Sequence, residues 1–446
     1  MTNLTRTLAR FPTRELPGRA EIDLDTAMRW CHTPGLSVAL IDGGELRETW
    51  TAGTRTVGRA EPVTPHTRFQ AGSISKSVAA AVALRLVAAG VLDLDEDVDG
   101  RLRSWRIPAN DGWRPRITLR QLLSHTAGLT VHGFPGYPAD ASVPTVPELL
   151  DGRGNTPPVR VTTLPGVQFS YSGGGYVVLQ QLLADVTATD FPTLAAELVL
   201  GPARMGDSTY AQPLPAALAD EAAVGHRVGP VPVAGRWHTY PEMTAAGLWS
   251  TPADLARFFL AVRDSLAGVP GSLLPRALAE EMATPHARNT PYGLGLQLAG
   301  TDAPRTIGHG GTDEGYRNDA LLYLDAGQGM VAMANSDGGG DLIAEFVRPA
   351  LADEYGWPGR DTTPASPDGA DRTGVYRDGD TTLRVAHTGD DVTLTVDDQP
   401  PVRLRRDPDG AWRGPALTVE LRFPDPETLV LHQDAEYTTD IRAVRD

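Results

Sequence analysis

Residues Ser73 to about Leu92 read as one long helix whose Ala, Val and Leu residues recur on most of its faces. Such a helix cannot lie on a surface. It must be covered nearly all round, so the chain has to build a core about it. Its most apolar part, Val78 to Leu92, is interrupted by Arg85 and falls short of the ~20 apolar residues of a membrane span. The 446 residues include 40 Lys and Arg, and Lys76, in the first turn of this helix, is the single lysine. Arg replaces Lys at ordinary surface positions at little cost, whereas a buried Lys can shed its proton and act as a base. A lone lysine at the head of a buried helix marks a position where Arg would not serve.

The chain is long enough for two domains of ~100–200 residues each. Its formal net charge of −16 argues against nucleic acid as a partner, because phosphate binding needs a basic surface. The one cysteine, Cys31, excludes an intrachain disulfide and a metal site built on paired cysteines, and reads as a small core residue. The first twenty residues contain no apolar stretch of the kind a signal peptide needs, so the expectation is a cytoplasmic protein with no membrane partner.

Residues 1–355 read as mixed α/β. Leu36–Ile41 and Leu46–Ala52 form a hairpin about Asp42-Gly43-Gly44-Glu45, and Ala320–Leu324 and Gly329–Ala334 form another. Thr118 opens a short helix with a capping-box pattern. Gly174–Val186 and Phe191–Leu200 read as helices, as does Leu342–Tyr355. Thr251-Pro252-Ala253-Asp254 is a helix start: a Thr cap, Pro first, an acid following. Residues 356–372, rich in Pro, Gly and Asp, read as a linker. From 373 to 446 the pattern changes to short alternating runs, namely Thr381–His387, Val392–Asp397, Val402–Arg406, Leu417–Phe423, Thr428–Leu431 and Thr438–Val444. They predict a small antiparallel barrel or sandwich.

Ser73 lies three residues before Lys76, which puts both on one helix face. A serine at a helix start has its own N–H free near the positive end of the dipole. A neutral lysine can take the hydroxyl proton, the oxygen can attack a carbonyl, and the free N–H can help hold the oxyanion. The plainer alternative is a helix cap beside a surface cation. Two further runs weigh against it. Tyr171-Ser172-Gly173 precedes a helix, and a nearby ammonium would favour a phenolate there. Gly308-His309-Gly310-Gly311-Thr312 precedes a strand, with glycines that let a substrate approach the backbone. Thr312 could supply a second oxyanion N–H.

Ser73-x-x-Lys76, Tyr171-Ser172-Gly173 and His309-Gly310-Gly311, in that order, resemble the three signature motifs of the serine β-lactamase and penicillin-binding-protein superfamily. The branch resembled is that of class C β-lactamases, DD-peptidases, D-aminopeptidases and related esterases. The runs Gln121–Leu129 and Ala246–Thr251 agree, and the resemblance spans roughly residues 30–355. The C-terminal part resembles, more loosely, the lipocalin-like barrels appended to some members. The resemblance implies a β-lactamase-like antiparallel sheet flanked by helices, with a helical subdomain and a small C-terminal β-barrel. It implies covalent catalysis with no cofactor and no metal: Ser73 as nucleophile, Lys76 and Tyr171 sharing the base and proton-relay roles, and the N–H groups of Ser73 and Thr312 as the oxyanion hole. His309 would replace the usual third-motif lysine. Which of Lys76 and Tyr171 takes the serine proton stays open, since such neighbours titrate as a coupled pair.

Two departures bear on substrate. Gly173 stands where the second motif normally ends in Asn, which removes a side-chain amide for a substrate amide. His309 offers a weaker positive charge than lysine at neutral pH. Both favour an ester, thioester or unusual peptide over a β-lactam. The leading expectation is a serine hydrolase acting on a small-molecule or peptide-like acyl substrate. The first alternative is an acyltransferase or peptide-cyclising thioesterase-like enzyme of small-molecule biosynthesis, which could take a carrier-bound acyl donor. The second is a catalytically silent binding or sensor protein. Arg317 and Asn335 are candidates for holding a substrate carboxylate, against an internal salt bridge or a turn role. Arg236–Glu242 is a candidate lining of the acyl pocket, against packing between subdomains. Adjacent Ser124 and His125 point apart on a helix and read as wall supports. No HExxH, no G-x-S-x-G elbow and no dinucleotide G-x-G-x-x-G is present. Specificity is expected in the loops 131–165 and 203–245.

Overall fold

The computed structural model describes residues 3–12, 21–110, 112–287, 290–299 and 304–358, together with Thr373 and the strands between 374 and 445. The chain divides into two compact units, residues 1–13 with 17–358, and residues 14–16 with 359–446. Most of the expected linker, from residue 359 to 372, lies outside the described residues.

The first unit is a mixed α/β fold around a six-stranded antiparallel sheet. Its strands are β1 (Gly35–Asp42), β2 (Glu45–Gly53), β3 (Gln297–Ala299), β4 (Thr306–Asp313), β5 (Tyr316–Tyr323) and β6 (Gln328–Ala334), in the spatial order β2-β1-β6-β5-β4-β3. Both expected hairpins form. The sheet joins them at its centre, where β1 pairs with β6 in the register Ala39↔Val331. Nearly every residue of β1 and β6 is buried, as their unbroken apolar sequences require of a strand covered on both faces. Helix α3 (Pro252–Leu266) packs on this sheet against β1, β2 and β6. Its Thr251 hydroxyl accepts the Asp254 N–H, as the cap-Pro-acid pattern predicts.

The apolar helix expected from Ser73 to Leu92 is shorter than its pattern. Ser73 sits in a 3-10 turn, Gly72–Ile74, and the α-helix α1 runs Ser75–Ala88. It is enclosed as its composition demands: all its residues from Ser75 to Leu84 are buried, among helices and against the short helix Met243–Ala246. Its C-terminus is closed by a Schellman pair, Gly90 N–H to Val87 O and Val91 N–H to Leu86 O, both at 2.9 Å. That motif stops the helix although apolar residues continue. Helix α2 (Gly173–Thr187) follows the Tyr171 run and contacts the same Met243–Ala246 helix. The segment Phe191–Leu200 is an α-turn that widens to a π-helix at Ala196–Leu200. Thr118 and Gln121 form the predicted capping box.

The second unit is a closed antiparallel barrel of eight strands. Six match expected runs, two of whose ends (Asp397 and residues 438–440) lie outside the described residues. Gly374–Asp378 and Trp412–Gly414 complete it. Alternate residues Leu383 and Val385, Val392 and Leu394, and Leu429 and Leu431 fill its core with Tyr376 and Trp412, the period of two that one buried face imposes. Among the described residues no helix is long and apolar enough to cross a membrane.

Candidate active site

Lys76 emerges from the first turn of α1 and is 2 % exposed. Its Nζ lies 3.0 Å from Ser73 Oγ and donates to the Ala245 carbonyl at 2.8 Å. The reason is local. A 3-10 turn leading into an α-helix stacks residues i and i+3, so the hydroxyl and the amine meet, and the Met243–Ala246 helix offers a carbonyl from the far side. An amine held this way has its remaining lone pair or proton aimed at the serine oxygen, the geometry that proton abstraction requires.

The Ser73 turn is seated on β4. Gly72 has φ +54°, and a Cβ there would stand 2.4 Å from Thr312 N; a Cβ on Gly311 would stand 2.1 Å from the Ala71 oxygen. The bare backbones therefore touch, and they bring Ser73 beside the third expected run. Among the described residues strand β3 pairs with Thr306–Gly308 of β4, so beyond His309 that edge of β4 faces the Ser73 turn. The Gly310 N–H donates to Gln297 Oε1 at 3.0 Å.

Tyr171 is buried, and its ring centroid lies 4.9 Å from Lys76 Nζ; that of Tyr176, from α2, lies at 5.8 Å. Both faces are placed for cation–π attraction to an ammonium. Behind Tyr171 stands His125, whose ring lies 4.1 Å away at 36°. The Ser172 N–H donates to His125 Nδ1 at 3.1 Å, so the ring proton of His125 is on Nε2. Burial first, and then the Lys76 charge, hold this imidazole neutral. Ser172 is the N-cap of α2: its hydroxyl accepts the Gly175 N–H at 2.9 Å and donates to Thr130 O at 2.7 Å. It fixes the chain after Tyr171.

His309 is 1 % exposed. Its Nδ1 lies 2.6 Å from the Gly310 carbonyl and must donate to it, so Nε2, 3.0 Å from Tyr292 Oη, is the acceptor of the tyrosine proton. Burial, then the Lys76 charge, pushes this histidine down to about 3. The ring is neutral at working pH and offers a substrate carboxylate no positive charge. Acid stability follows. The unfolded chain takes up this proton near 6.5, the folded chain only near 3, so stability held above pH 6.5 is lost as pH falls through that window, by about 3–5 kcal/mol. Denaturant titrations at several pH values should show a flatter acid limb for His309→Gln; an unchanged limb would remove His309 as its cause.

Arg317 and Asn335 are committed elsewhere. Arg317 stands opposite Thr312 on β5, and its Nη1 meets Asp337 Oδ1 at 2.9 Å and the Asp313 and Tyr316 carbonyls. Asn335 is fully buried and donates to the carbonyls of Thr54 and Arg55. In the run Arg236–Glu242, Arg236 stacks on Trp237, His238 Nδ1 meets Pro135 O at 2.8 Å, and Thr239 pairs with Tyr137. Cys31 is buried, and burial pushes its thiol up to about 12, an inert state. Among the described residues no group of three or more His, Cys, Asp or Glu could hold a metal ion.

Two side chains near these motifs escaped the sequence reading. Tyr292 faces His309, Tyr171 and His125; its signal is the run Tyr292-Gly293-Leu294-Gly295, whose Gly295 packs on Ala80 and takes the Ser77 hydroxyl. Phe134 lies on Gly173, where a Cβ would meet its ring at 2.5 Å. The aromatic ring occupies the space beside position 173, so the missing Asn side chain has been replaced by an apolar surface from another loop.

The sequence profile of the Beta-lactamase family matches residues 23–354. A D-aminopeptidase of Brucella anthropi is 28% identical over 330 residues, 70% of this chain and 58% of that protein. The chain thus spans about three fifths of the length of this curated relative. A solved structure of SurE with D-Leu is 25% identical, with a TM-score of 0.59 over 95% of this chain and 97% of that one. The octameric penicillin-binding protein homologue from Pyrococcus abyssi, 19% identical, shares the fold with a TM-score of 0.59 over 95% of this chain and 98% of its own. With a profile match over most of its length and the serine–lysine pair set in a β-lactamase-like fold, the chain belongs to the Beta-lactamase family.

Proposed function

We propose that this protein forms an acyl-enzyme on Ser73 and releases it to water, acting on an ester, thioester or peptide-like carbonyl. The observation that carries this reading is the 3.0 Å contact between Lys76 Nζ and Ser73 Oγ with both side chains buried. Lys76, once its ammonium has lost a proton to solvent, accepts the serine proton as Oγ attacks the carbonyl, and Tyr171, over the same amine, relays it toward the leaving group. The N–H groups of Ser73 and Thr312 hold the oxyanion. His309 and Tyr292 serve as a neutral hydrogen-bonded wall, and Phe134 makes the surface beside Gly173 apolar. The D-aminopeptidase relatives and the SurE structure with D-Leu support a substrate whose reacting residue has the D configuration. A second reading, in which an amine replaces water as acceptor, shares the same acyl-enzyme and differs only in the nucleophile that takes the acyl group.

A fluorophosphonate probe followed by intact-mass measurement is expected to add one label, and Ser73→Ala to abolish it. A folded wild type that takes no label would refute acyl-enzyme catalysis and favour a silent binding protein. Turnover of a D-amino acid thioester against its L form tests the configuration, with at least a tenfold preference expected.

A further inference from the structure

The helix Leu119–Leu123 ends on a side chain at a place where the backbone favours none. Ser124 is its C-cap, and His125 follows in the left-handed region with φ +57°. The Thr126 N–H closes on Gln121 O at 3.0 Å and the His125 N–H on Leu122 O at 3.5 Å, the two bonds of a Schellman motif. Glycine is the usual residue there, because it has no Cβ to strain. His125 is also 2 % exposed, and its Nε2 has no hydrogen-bond partner among the described residues. A buried N–H left unpaired is unfavourable as well. Glycine would avoid both penalties, so the imidazole has to serve some purpose at this position.

Its contacts converge on Tyr171. His125 Nδ1 accepts the Ser172 N–H at 3.1 Å, and the His125 carbonyl accepts the Ser170 N–H at 2.8 Å. The residues on either side of Tyr171 are thus tied to one and the same residue. The imidazole also lies against the Tyr171 ring, with centroids 4.1 Å apart. Tyr292, Tyr176 and Phe169 pack around it at 4.9, 5.2 and 5.7 Å. From Tyr171 the chain of contacts runs on to the serine: its ring centroid lies 4.9 Å from Lys76 Nζ, which lies 3.0 Å from Ser73 Oγ. Burial and the Lys76 charge keep the imidazole neutral. Only the neutral ring has a lone pair on Nδ1 for the Ser172 N–H.

We propose that His125 is a positioning residue: its Nδ1 bond to Ser172 fixes Tyr171 at the distance from Lys76 at which the tyrosine relays the proton. This rests on the acyl-enzyme reading and deepens it, with a residue that acts only through Tyr171.

The test compares the full chain with His125→Gly and His125→Asn. Both residues accept a left-handed backbone, so strain does not separate the two variants. Asn carries an oxygen near the place of Nδ1 and can take the Ser172 N–H, whereas glycine cannot. Rates on a p-nitrophenyl ester are divided by the fraction of enzyme that fluorophosphonate finally labels at Ser73, and thermal melts report folding. His125→Gly is expected to lower kcat about 100-fold, the loss that ~1 Å of misplacement brings. KM should stay within about threefold of wild type, since the relay acts in the transition state. His125→Asn should recover to within about tenfold of wild type by restoring the bond. Beside Tyr171→Phe, the His125→Gly change should cost less than about threefold, because the hydroxyl it positions is gone. Wild-type kcat in folded His125→Gly overturns the assignment. So does an Asn variant no better than Gly, or a His125→Gly loss as large beside Tyr171→Phe as without it. If neither variant folds, His125 serves the fold rather than Tyr171, and the assignment falls too. A wild type that takes no label overturns the acyl-enzyme reading itself.

Discussion

Lys76→Arg is expected to lower kcat/KM by about 10³-fold or more while the protein stays folded. The amine is held between Ser73 Oγ and the Ala245 carbonyl at 3.0 and 2.8 Å. General-base catalysis at that point needs a group that can be neutral, and is worth about 10²–10⁴-fold. A guanidinium stays protonated in any protein environment and is planar and wider than an amine. It can still satisfy Ala245, so the loss should fall on chemistry more than on folding. Steady-state turnover of a p-nitrophenyl ester, the rate of fluorophosphonate labelling and a thermal melt together check this. Turnover within tenfold of wild type would show that Lys76 is not the base and would shift that role to Tyr171.

Gly311→Ala should cost about 100-fold in kcat/KM with an intact second unit. The added methyl would meet the Ala71 carbonyl oxygen at 2.1 Å, backbone against backbone, so neither side can rotate away. Strand β4 is held on its other edge by β5 through the full register Thr306↔Tyr323 to Asp313↔Tyr316. The Ser73 turn is therefore the part that moves. It must retreat by about 1 Å, and such a misplacement of a reacting group is enough for a loss of that size, with ~1–3 kcal/mol of lost stability from overpacking. The prediction is checked by kcat/KM and by denaturant unfolding of the variant. Activity within threefold of wild type would mean that the turn and the strand need not touch.

Much of this was legible because the chemistry sits on local signals. Ser73 and Lys76 share a face by spacing alone, Thr251-Pro252 and Thr118 mark helix starts by capping, and the alternation of Leu383/Val385 and Leu429/Leu431 marks barrel strands. What escaped depends on approach between distant segments. Tyr292 reaches His309 only because Gly295 packs on α1, and Phe134 reaches Gly173 across a loop whose sequence has no period. Glu242 lay within a run read as pocket lining, but its full burial becomes visible only when its neighbours in space are known. His309 was expected to carry weakened charge; burial and the nearby amine remove the charge outright. The helix ended early because a two-bond closure at Gly90 outweighed apolar residues that continue past it. The strand Trp412–Gly414 is three residues long with a register shift beside it, too short to show alternation.

The centre of the main sheet joins strands from opposite ends of the first unit, β1 with β6. During synthesis the segment bearing Ser73, Lys76 and Tyr171 leaves the ribosome long before residues 328–334, and β1 has no partner on its inner edge until they arrive. Non-local pairing of this kind is slow to form, and the unpaired apolar edge is a hazard in the meantime. Strand β4, against which the Ser73 turn is seated, is also translated late, so the nascent chain carries Ser73 and Lys76 without the surface that positions them until the sheet closes.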